Sequence, residues 1–457
     1  MILSTQFSST STIIVRRIRQ YLFRSTTNIM TVINHNCNHS IVYKESSNFL
    51  HSSPRFWLND ESSLKKQQLL LSCRKFSNQV HYNQIQLEPC PNSFKATDAI
   101  VEILDSKDRS EKPDWNNLVF GQHCSDHMVE IHWNQSDGWQ TPRIVPVHPF
   151  CLHPFAKVFH YAPEIFEGMK AYRGLDGRIR IFRPELNMKR MRLSAARVCL
   201  PDFDGQQLIE LMKKLLIIDD EWVPPYESNA SLYIRPTMIA TDEALGVSPA
   251  TKCILFVVTG PVGPYFSTGF KPVSLLADPK YVRAWQGGSG DRKLGSNYAP
   301  TMLVQKEANK QGLQQVLWLY GPDHELTEVG TMNIFMLMKD PEGKRQLITP
   351  PLTEGLILPG VTRQSLIELV RSWNEIEVIE RVIPMAEVKQ LLAENRLLEM
   401  FGAGTACIVC PIGQILFEQQ MLNIPGHEFT LKLFKELLDI QYGVKEYGNW
   451  VQTIGST

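Results

Sequence analysis

The chain has 457 residues, a length that suits two or three domains because a single hydrophobic core stops growing at roughly 250–300 residues. Hydrophobic residues make up 43% and charged residues 21%, as in ordinary globular proteins. The 47 basic residues equal the 47 acidic ones, which argues against a nucleic-acid partner. No apolar run approaches the ~18 residues of a membrane span. The nine cysteines are scattered and odd in number, which argues against a secreted disulfide framework and favours a reducing compartment.

The first 44 residues contain no Asp or Glu and are rich in Ser, Thr and Arg. Their apolar residues fall on one face of a short helix, which is typical of a mitochondrial transit segment. The alternative is an unprocessed, disordered tail. We therefore assign residues 1–92 to a transit peptide and disordered segment, and predict a location in the mitochondrial matrix. A start at Met30 would give a cytosolic form, because it deletes Arg16, Arg17, Arg19 and Arg24.

The folded part begins near Ser93 with a mixture of strands and helices. Apolar alternation or apolar runs predict strands at 129–133, 178–182, 231–235 and 253–258. We expect Pro236 to close the third of these strands. Leucines at helical spacing predict a helix over 207–218. A cluster of Pro and Gly places a domain boundary near residue 267.

The second half, residues 267–457, repeats this mixture. It predicts strands at 273–277, 315–320 and 334–338, and helices over 300–312, from Thr362 and after Pro384. The order lacks the regular βα alternation of a Rossmann sheet or a TIM barrel. The sequence therefore predicts a mixed α/β (α+β) protein with domains at 93–266 and 267–457.

The glycine-rich segment 286–298 contains Lys293. A lysine there could hold a phosphate, although the spacing Gly-x-x-x-x-Gly-Lys-[Ser/Thr] is not matched. A desolvated lysine could instead form a Schiff base with an aldehyde. The third interpretation is a surface turn with a solvated lysine.

Three further segments each allow one functional and one purely structural interpretation. Glu328, in 326–333, could keep a pyridine nitrogen protonated or could be an ordinary cap or turn residue. The segment 358–363 could offer a helix N-terminus to a phosphate, or Thr362 could be a simple N-cap. The small residues of 400–407 could expose N–H groups to a carboxylate or phosphate, or form a tight turn between strands.

Together these segments supply the parts of a pyridoxal-phosphate site. The chain closely resembles branched-chain amino acid aminotransferases from about Ser93 to Tyr447, through the motifs at 165–172, 293–298, 328–333 and 401–406. The resemblance implies the D-amino-acid-aminotransferase-like fold (fold type IV), with the active site between two domains and pyridoxal 5'-phosphate as cofactor.

The resemblance also assigns residues to the cofactor. Lys293 is expected to be the catalytic Schiff-base lysine and Glu328 the partner of the pyridine nitrogen. Tyr298 is expected to contact the phenolic oxygen of the cofactor. The phosphate would be held by Arg190, Val361, Thr362 and Thr405.

The resemblance further implies a substrate site shared by two subunits. Thr331 and the N–H of Ala406 would bind the substrate carboxylate, and Arg235 would order 2-oxoglutarate. The walls of the side-chain pocket would be Phe120, Tyr161, Phe166, Tyr233 and Tyr265. Leu245 and Val247 match a loop that reaches in from a partner subunit, which implies a homodimer.

The implied activity is reversible transfer of the amino group of L-leucine, L-isoleucine or L-valine to 2-oxoglutarate, in ping-pong fashion. One rival is a phosphate- or nucleotide-binding module without enzymatic activity that uses the 286–298 loop. The rivals within the fold are a D-amino acid aminotransferase and an aminodeoxychorismate lyase, which share the lysine and glutamate but differ in the pocket.

Cys407 and Cys410 form the one close cysteine pair, with the spacing C-x-x-C. The eukaryotic relatives carry the same pair, which implies a redox-sensitive switch next to Ala406. The alternative is two thiols that merely pack. Zinc is disfavoured because no second Cys or His pair of suitable spacing is near, and we expect no metal.

Overall fold

Two large β-sheets organise the chain in the computed structural model, which describes residues 90–263, 270–353 and 355–455. All described residues belong to one compact unit. Strands and helices are interspersed along the chain, so the prediction of a mixed α/β protein is confirmed. The site lies where loops and strand ends of the two sheets meet.

The first sheet has ten strands in the order β1-β4-β2-β9-β8-β6-β7-β19, with β3 beside β2 and β5 beside β8. Its strands are β1 (Ile100–Val101), β2 (His127–Asn134), β3 (Gly138–Trp139), β4 (Arg143–Pro146), β5 (Glu164–Phe166), β6 (Met169–Arg173), β7 (Ile179–Phe182), β8 (Ser231–Ala240), β9 (Lys252–Val262) and β19 (Val451–Ile454). Most neighbours are antiparallel, as between β2 and β9, where Val129 lies opposite Val257.

The second sheet has nine strands in the order β12-β11-β10-β17-β16-β13-β14-β15, with β18 beside β17. Its strands are β10 (Val273–Ala277), β11 (Gln315–Tyr320), β12 (Glu325–Val329), β13 (Met332–Lys339), β14 (Arg345–Thr349), β15 (Glu377–Glu380), β16 (Leu397–Gly404), β17 (Ile408–Phe417) and β18 (Gln420–Asn423). Its middle strands are almost wholly apolar because both faces are covered.

Seven α-helices and five short 3-10 helices accompany the sheets in the described ranges. The α-helices are α1 (Lys157–Tyr161), α2 (Pro184–Arg197), α3 (Gly205–Ile218), α4 (Thr301–Lys310), α5 (Val361–Trp373), α6 (Met385–Ala393) and α7 (Glu428–Gln441). The 3-10 helices are Ala96–Asp98, Ser106–Asp108, Asp220–Trp222, Tyr226–Ser228 and Gly295–Asn297.

Helix α3 shows how the local sequence dictates these elements. Asp204 caps it, since the carboxylate accepts from the N–H of Gln206 at 2.8 Å. Leu208, Leu211 and Leu215 recur at helical spacing and are fully buried in the core of the first sheet. The predicted helix over 207–218 is confirmed.

The predicted strands are present, but the expectation that Pro236 closes its strand is wrong. Strand β8 continues to Ala240, and Pro236 lies opposite Val257 in the ladder with β9. Its other neighbour changes at this point from β6, paired at Ile234, to β5, paired at Thr237. A missing N–H is tolerated at such a change of partner. The domain boundary near 267 stays a prediction, and β19 returns from the C-terminal half to the first sheet.

Candidate active site

A cleft between the sheets is lined by many of the residues that the sequence singled out. Gly168, strand β8 and helix α2 contribute from one side, and the second sheet and its loops contribute from the other. Its lining includes Gly168, Arg190, Tyr233, Lys293, Thr331, Asn333, Gly360, Val361, Thr362, Thr405 and Ala406. Residues from both halves of the chain therefore meet around one small space.

Lys293 is held at this cleft by its backbone and by two aromatic rings. Its N–H donates to Ser194 Oγ at 2.9 Å, and its carbonyl accepts from the N–H of Phe166 at 3.2 Å. The Nζ atom donates to the Tyr298 hydroxyl at 3.2 Å and lies 4.2 Å from the centre of the Phe166 ring. The alternative of a solvated lysine on a surface turn is therefore wrong.

Glu328 lies within strand β12 and is 3% exposed. One carboxylate oxygen accepts from the N–H of Leu358 at 2.8 Å, and the other lies 3.1 Å from Arg283 Nη2. Burial raises the pKa of Glu328 above its ordinary value, against the lowering effect of Arg283. The alternative of a cap or turn residue is wrong, because this carboxylate is an interior charge fixed from two sides.

The N-terminus of helix α5 opens onto the cleft. Gly360 is its N-cap and provides no side-chain cap, so the alternative in which Thr362 caps the helix is wrong. The first N–H groups of an α-helix have no acceptor within the helix, and they carry the positive end of its dipole. A Cβ at Gly360 would lie 2.1 Å from Asn333 Oδ1. A larger residue at position 360 would therefore collide with Asn333, and the helix end that Gly360 leaves open is of the kind that suits an anion.

Arg190 lines the same end of the cleft from helix α2. Its Nε and Nη2 atoms each donate to the Glu167 carboxylate at 2.7 Å, and Nη1 donates to the Pro359 carbonyl at 3.0 Å. Both charged side chains of this pair are buried. The fork of two parallel bonds fixes the guanidinium plane beside Val361 and Thr362.

Residues 405–407 form a tight turn between β16 and β17, as one of the two interpretations of the segment 400–407 predicted, and the binding of a carboxylate by this turn stays a prediction. Thr405 and Ala406 nevertheless line the cleft, opposite the exposed Thr331. Lys170 braces the turn, because its Nζ donates to the Ala406 carbonyl at 2.8 Å. Burial lowers the pKa of Lys170 to about 8.

Aromatic side chains pack beside Lys293 and form part of the predicted pocket wall. The rings of Phe120 and Tyr233 lie 5.0 Å apart in an edge-on arrangement. The Arg235 guanidinium lies 4.8 Å from the Phe166 ring centre and donates to the Tyr233 hydroxyl at 3.2 Å.

The remaining predicted wall residues, Tyr161 and Tyr265, and the predicted partner-loop residues, Leu245 and Val247, are placed differently. Tyr161, Leu245 and Val247 are exposed and are not among the residues that line the cleft. The Tyr161 hydroxyl donates to the Leu245 carbonyl, so these two residues contact each other. Tyr265 lies outside the described residues.

Comparisons with known proteins agree with this geometry. The amino-transferase class IV family model matches residues 164–415. The cytosolic branched-chain-amino-acid aminotransferase of Mus musculus is 51% identical over 361 residues, which cover 78% of this chain and 92% of the relative. The mitochondrial enzyme of Rattus norvegicus is 50% identical over 365 residues, covering 79% and 92%.

Solved structures show the same fold. The branched-chain aminotransferase of Thermobaculum terrenum, in its pyridoxal-phosphate holo form, superposes with a TM-score of 0.59 at 24% identity. The match covers 73% of this chain and 100% of that chain. The Escherichia coli enzyme superposes with a TM-score of 0.54 at 22% identity, covering 72% and 100%.

The chain belongs to the class IV aminotransferases, in the family of branched-chain amino acid aminotransferases. This confirms the resemblance and the fold class that it implied, and it rejects the nucleotide-binding module as a rival. Both mitochondrial and cytosolic members of the family are among the relatives.

Sequence reasoning missed four charged or polar residues of this aminotransferase site. Glu167 pairs with Arg190, and Asn187 donates to Glu167 at 2.8 Å. Arg283 pairs with Glu328, and Lys170 braces the turn at Ala406. The motif at 165–172 contains Glu167 and Lys170, so a carboxylate and a lysine among apolar strand residues were the available signal.

Cys407 and Cys410 are both free thiols in this structure. Cys407 Sγ lies 3.1 Å from Met332 Sδ at the edge of the cleft. Burial raises the pKa of Cys407 to about 12 and also raises the pKa of Cys410. The redox switch stays a prediction. Among the described residues, no group of three or more His, Cys, Asp or Glu side chains could hold a metal ion.

Proposed function

We propose that this enzyme transfers the amino group of L-leucine, L-isoleucine or L-valine to 2-oxoglutarate, reversibly, with pyridoxal 5'-phosphate bound through Lys293. The observation that carries the proposal is that Lys293 and the N-terminus of α5 line one cleft, and that buried Glu328 accepts from the N–H of Leu358, which lines the same cleft. The 51% identical relative with the branched-chain aminotransferase name supports the choice of substrate class.

The residues present fit this cofactor. The free N–H groups at Val361 and Thr362, the buried Arg190 and the Thr405 hydroxyl suit a phosphate dianion. Glu328 is a fixed interior carboxylate, as a pyridinium nitrogen requires, and the charge of that pyridinium would offset its burial. Tyr298 lies beside Lys293 and suits the phenolic oxygen. When bound, the cofactor supplies an electron sink for the carbon that loses its proton.

The chain's own chemistry then centres on Lys293 Nζ. This amine accepts the proton from Cα of the amino acid and returns it later in the reaction, as general base and general acid. The Tyr298 hydroxyl, 3.2 Å away, orients the amine. The Phe166 ring, 4.2 Å from Nζ, keeps bulk water from one side of it.

The substrate end of the cleft suits both an apolar side chain and a second carboxylate. Thr331 and the turn at Ala406 would hold the substrate α-carboxylate. The Phe120–Tyr233 pair and Phe166 give apolar walls, and Arg235 beside them would order the second carboxylate of 2-oxoglutarate. A pocket discriminates one methylene by only ~1–3 kcal/mol, so leucine, isoleucine and valine should all react.

The proposal includes a homodimer and import into mitochondria. The exposed apolar side chains of Leu245 and Val247 suit docking into a second subunit. The acid-free, arginine-rich composition of residues 1–44 supports import, although this segment lies outside the described residues. A fusion of residues 1–92 to a fluorescent reporter should enter mitochondria, and cytosolic retention would contradict this.

The function is tested by turnover of the purified holoenzyme with 2-oxoglutarate. L-Leucine, L-isoleucine and L-valine should each yield L-glutamate, whereas D-leucine should yield none. Preference for D-leucine, or the absence of glutamate with all three L-amino acids, would contradict the proposal. A D-amino acid aminotransferase and a lyase are thereby separated from it.

A further inference from the structure

One buried lysine on helix α1, Lys157, forms hydrogen bonds with the loop of residues 241–251. Lys157 Nζ donates to the Ser248 carbonyl at 3.2 Å, to the Ser248 hydroxyl at 2.9 Å and to the Pro249 carbonyl at 3.0 Å. A lysine ammonium has three protons, and each has an acceptor here. The Asp242 carboxylate, 3.7 Å away, supplies the opposite charge, and both side chains are 5% exposed or less.

The base of the loop is closed by the same carboxylate. Asp242 Oδ1 accepts from both the N–H and the hydroxyl of Thr251, and from the N–H of Lys252 at 3.2 Å. The backbone adds two bonds to the segment before α1. The N–H of Lys157 donates to the Asp242 carbonyl at 3.0 Å, and that of Ala244 donates to the Phe155 carbonyl at 3.1 Å. The loop is therefore held at its two ends by the Asp242 contacts, and in its middle by the hydrogen bonds from Lys157.

The tip of this loop contrasts with its base. Leu245 is 46% exposed and Val247 is 84% exposed. The Tyr161 hydroxyl, from the same helix as Lys157, donates to the Leu245 carbonyl. A rigid base that displays two apolar side chains is suited to docking, because little conformational entropy remains to be lost on contact.

We propose that Lys157 is a positioning residue for substrate recognition. Its buried ammonium sets the 241–251 loop so that Leu245 and Val247 complete the substrate pocket of the partner subunit. This inference rests on the proposed function, and in particular on the homodimer. Since Lys157 acts through the loop, its loss should change KM far more than kcat.

The first test replaces Lys157→Met, which keeps the length of the side chain and removes the charge. We expect KM for L-leucine to rise on the order of tenfold, because a loosened loop must be ordered at each binding event. The value of kcat should stay within about twofold, since Lys293 is untouched. The visible absorbance of the bound cofactor should be unchanged. A wild-type KM would overturn the proposal.

Lys252→Met is the matched control. Lys252 begins β9 at the end of the same loop, its side chain is 58% exposed, and it faces Glu243 at 4.0 Å. It should behave as wild type. If the Lys157 variant does not fold, Ser248→Ala is the second test, because it removes one of the three acceptors of the Lys157 ammonium. It should raise KM by about twofold, since water can replace much of the single hydrogen bond that is lost. An unchanged KM in Ser248→Ala would then overturn the proposal.

Mixed dimers test whether the loop acts across the interface. A chain carrying both Lys293→Ala and Lys157→Met is paired with a wild-type chain through two affinity tags. The one working site then receives the altered loop, and KM should be raised. With the two substitutions on separate chains, the working site receives a native loop, and KM should be that of wild type. The opposite pattern would overturn the proposal, whereas wild-type protein without transamination would refute the proposed function instead.

Discussion

The two ends of the cleft are built in different ways. At the cofactor end, defined here by Arg190, Lys293, Glu328, Val361 and Thr362, the charged side chains of Arg190 and Glu328 are buried and paired within one chain. Three residues that we expect at the substrate end, Tyr161, Leu245 and Val247, do not line the cleft of this chain, and their side chains are exposed and largely apolar. If the proposed homodimer forms, we expect cofactor binding to depend on the interior of one subunit, and substrate recognition to depend also on surfaces that one subunit leaves open.

The largest effect is expected at the centre of the cofactor end. Lys293→Ala should lower kcat by roughly 10³-fold or more, because general acid–base catalysis alone contributes about 10²–10⁴-fold. The variant should keep the wild-type fold in circular dichroism and should still bind cofactor through Arg190 and the α5 N-terminus. Lys306→Ala, at an exposed position on α4, is the control and should be fully active. Normal turnover by Lys293→Ala would break the assignment.

Breaking the buried ion pair between Glu167 and Arg190, at the cofactor end of the cleft, should have the next largest effect. Glu167→Gln leaves the Arg190 charge uncompensated in the interior, which costs about 3–5 kcal/mol of stability. The matched surface change, Glu307→Gln opposite Lys310, should cost only about 0–1 kcal/mol. Denaturant unfolding of both apoproteins measures this contrast, and cofactor affinity should fall only in Glu167→Gln. Equal stabilities would show that the cofactor end is not held by this pair.

A smaller, pH-dependent effect is expected at Lys170, which braces the turn between the two ends. Burial lowers its pKa from 10.5 to about 8, so the folded state loses the proton before the unfolded state does. The penalty for burying the charge therefore fades as pH rises from about 8 towards 10.5. The free energy of unfolding of wild type should rise over this window relative to Lys170→Met. A constant difference across the window would contradict the burial of this charge.

The smallest effect is expected from oxidation of the cysteine pair. With the pKa of Cys407 at about 12, roughly one thiol in 10⁵ is a thiolate at pH 7, so reaction with peroxide should be slow. Short peroxide treatment should leave most of the activity in both wild type and Cys407→Ala. A rapid loss in wild type alone, restored by dithiothreitol, would establish the redox switch and show that the turn at 405–407 opens in solution.

The sequence predicted the elements with regular patterns and the residues within short motifs. Helix α3 has leucines at helical spacing, so local reasoning was sufficient to predict it. For Lys293 and Glu328 local reasoning left several interpretations open, and their expected roles came from the family resemblance. Local reasoning failed at Pro236, because only the change of neighbouring strand explains how β8 continues past it.

The missed partners were beyond local reasoning for a different reason. Glu167 and Arg190 are 23 residues apart, and Lys170 reaches a carbonyl 236 residues away. No periodicity or turn chemistry encodes such pairings, because they arise only when helix α2 packs beside the first sheet and when the turn at 405–407 meets β6. The brace formed by Lys157 is of the same kind, with acceptors 91 and 92 residues away.

We assign transamination of branched-chain amino acids to Lys293 and the cofactor end of the cleft. A single-turnover half-reaction tests this assignment most directly: purified holoenzyme is mixed with L-leucine in the absence of 2-oxoglutarate, while the cofactor spectrum and the product are followed together. We expect loss of the visible cofactor band and release of one branched-chain 2-oxo acid per active site, with the band restored by 2-oxoglutarate. An unchanged spectrum, or a spectral change without release of the 2-oxo acid, would contradict the assignment.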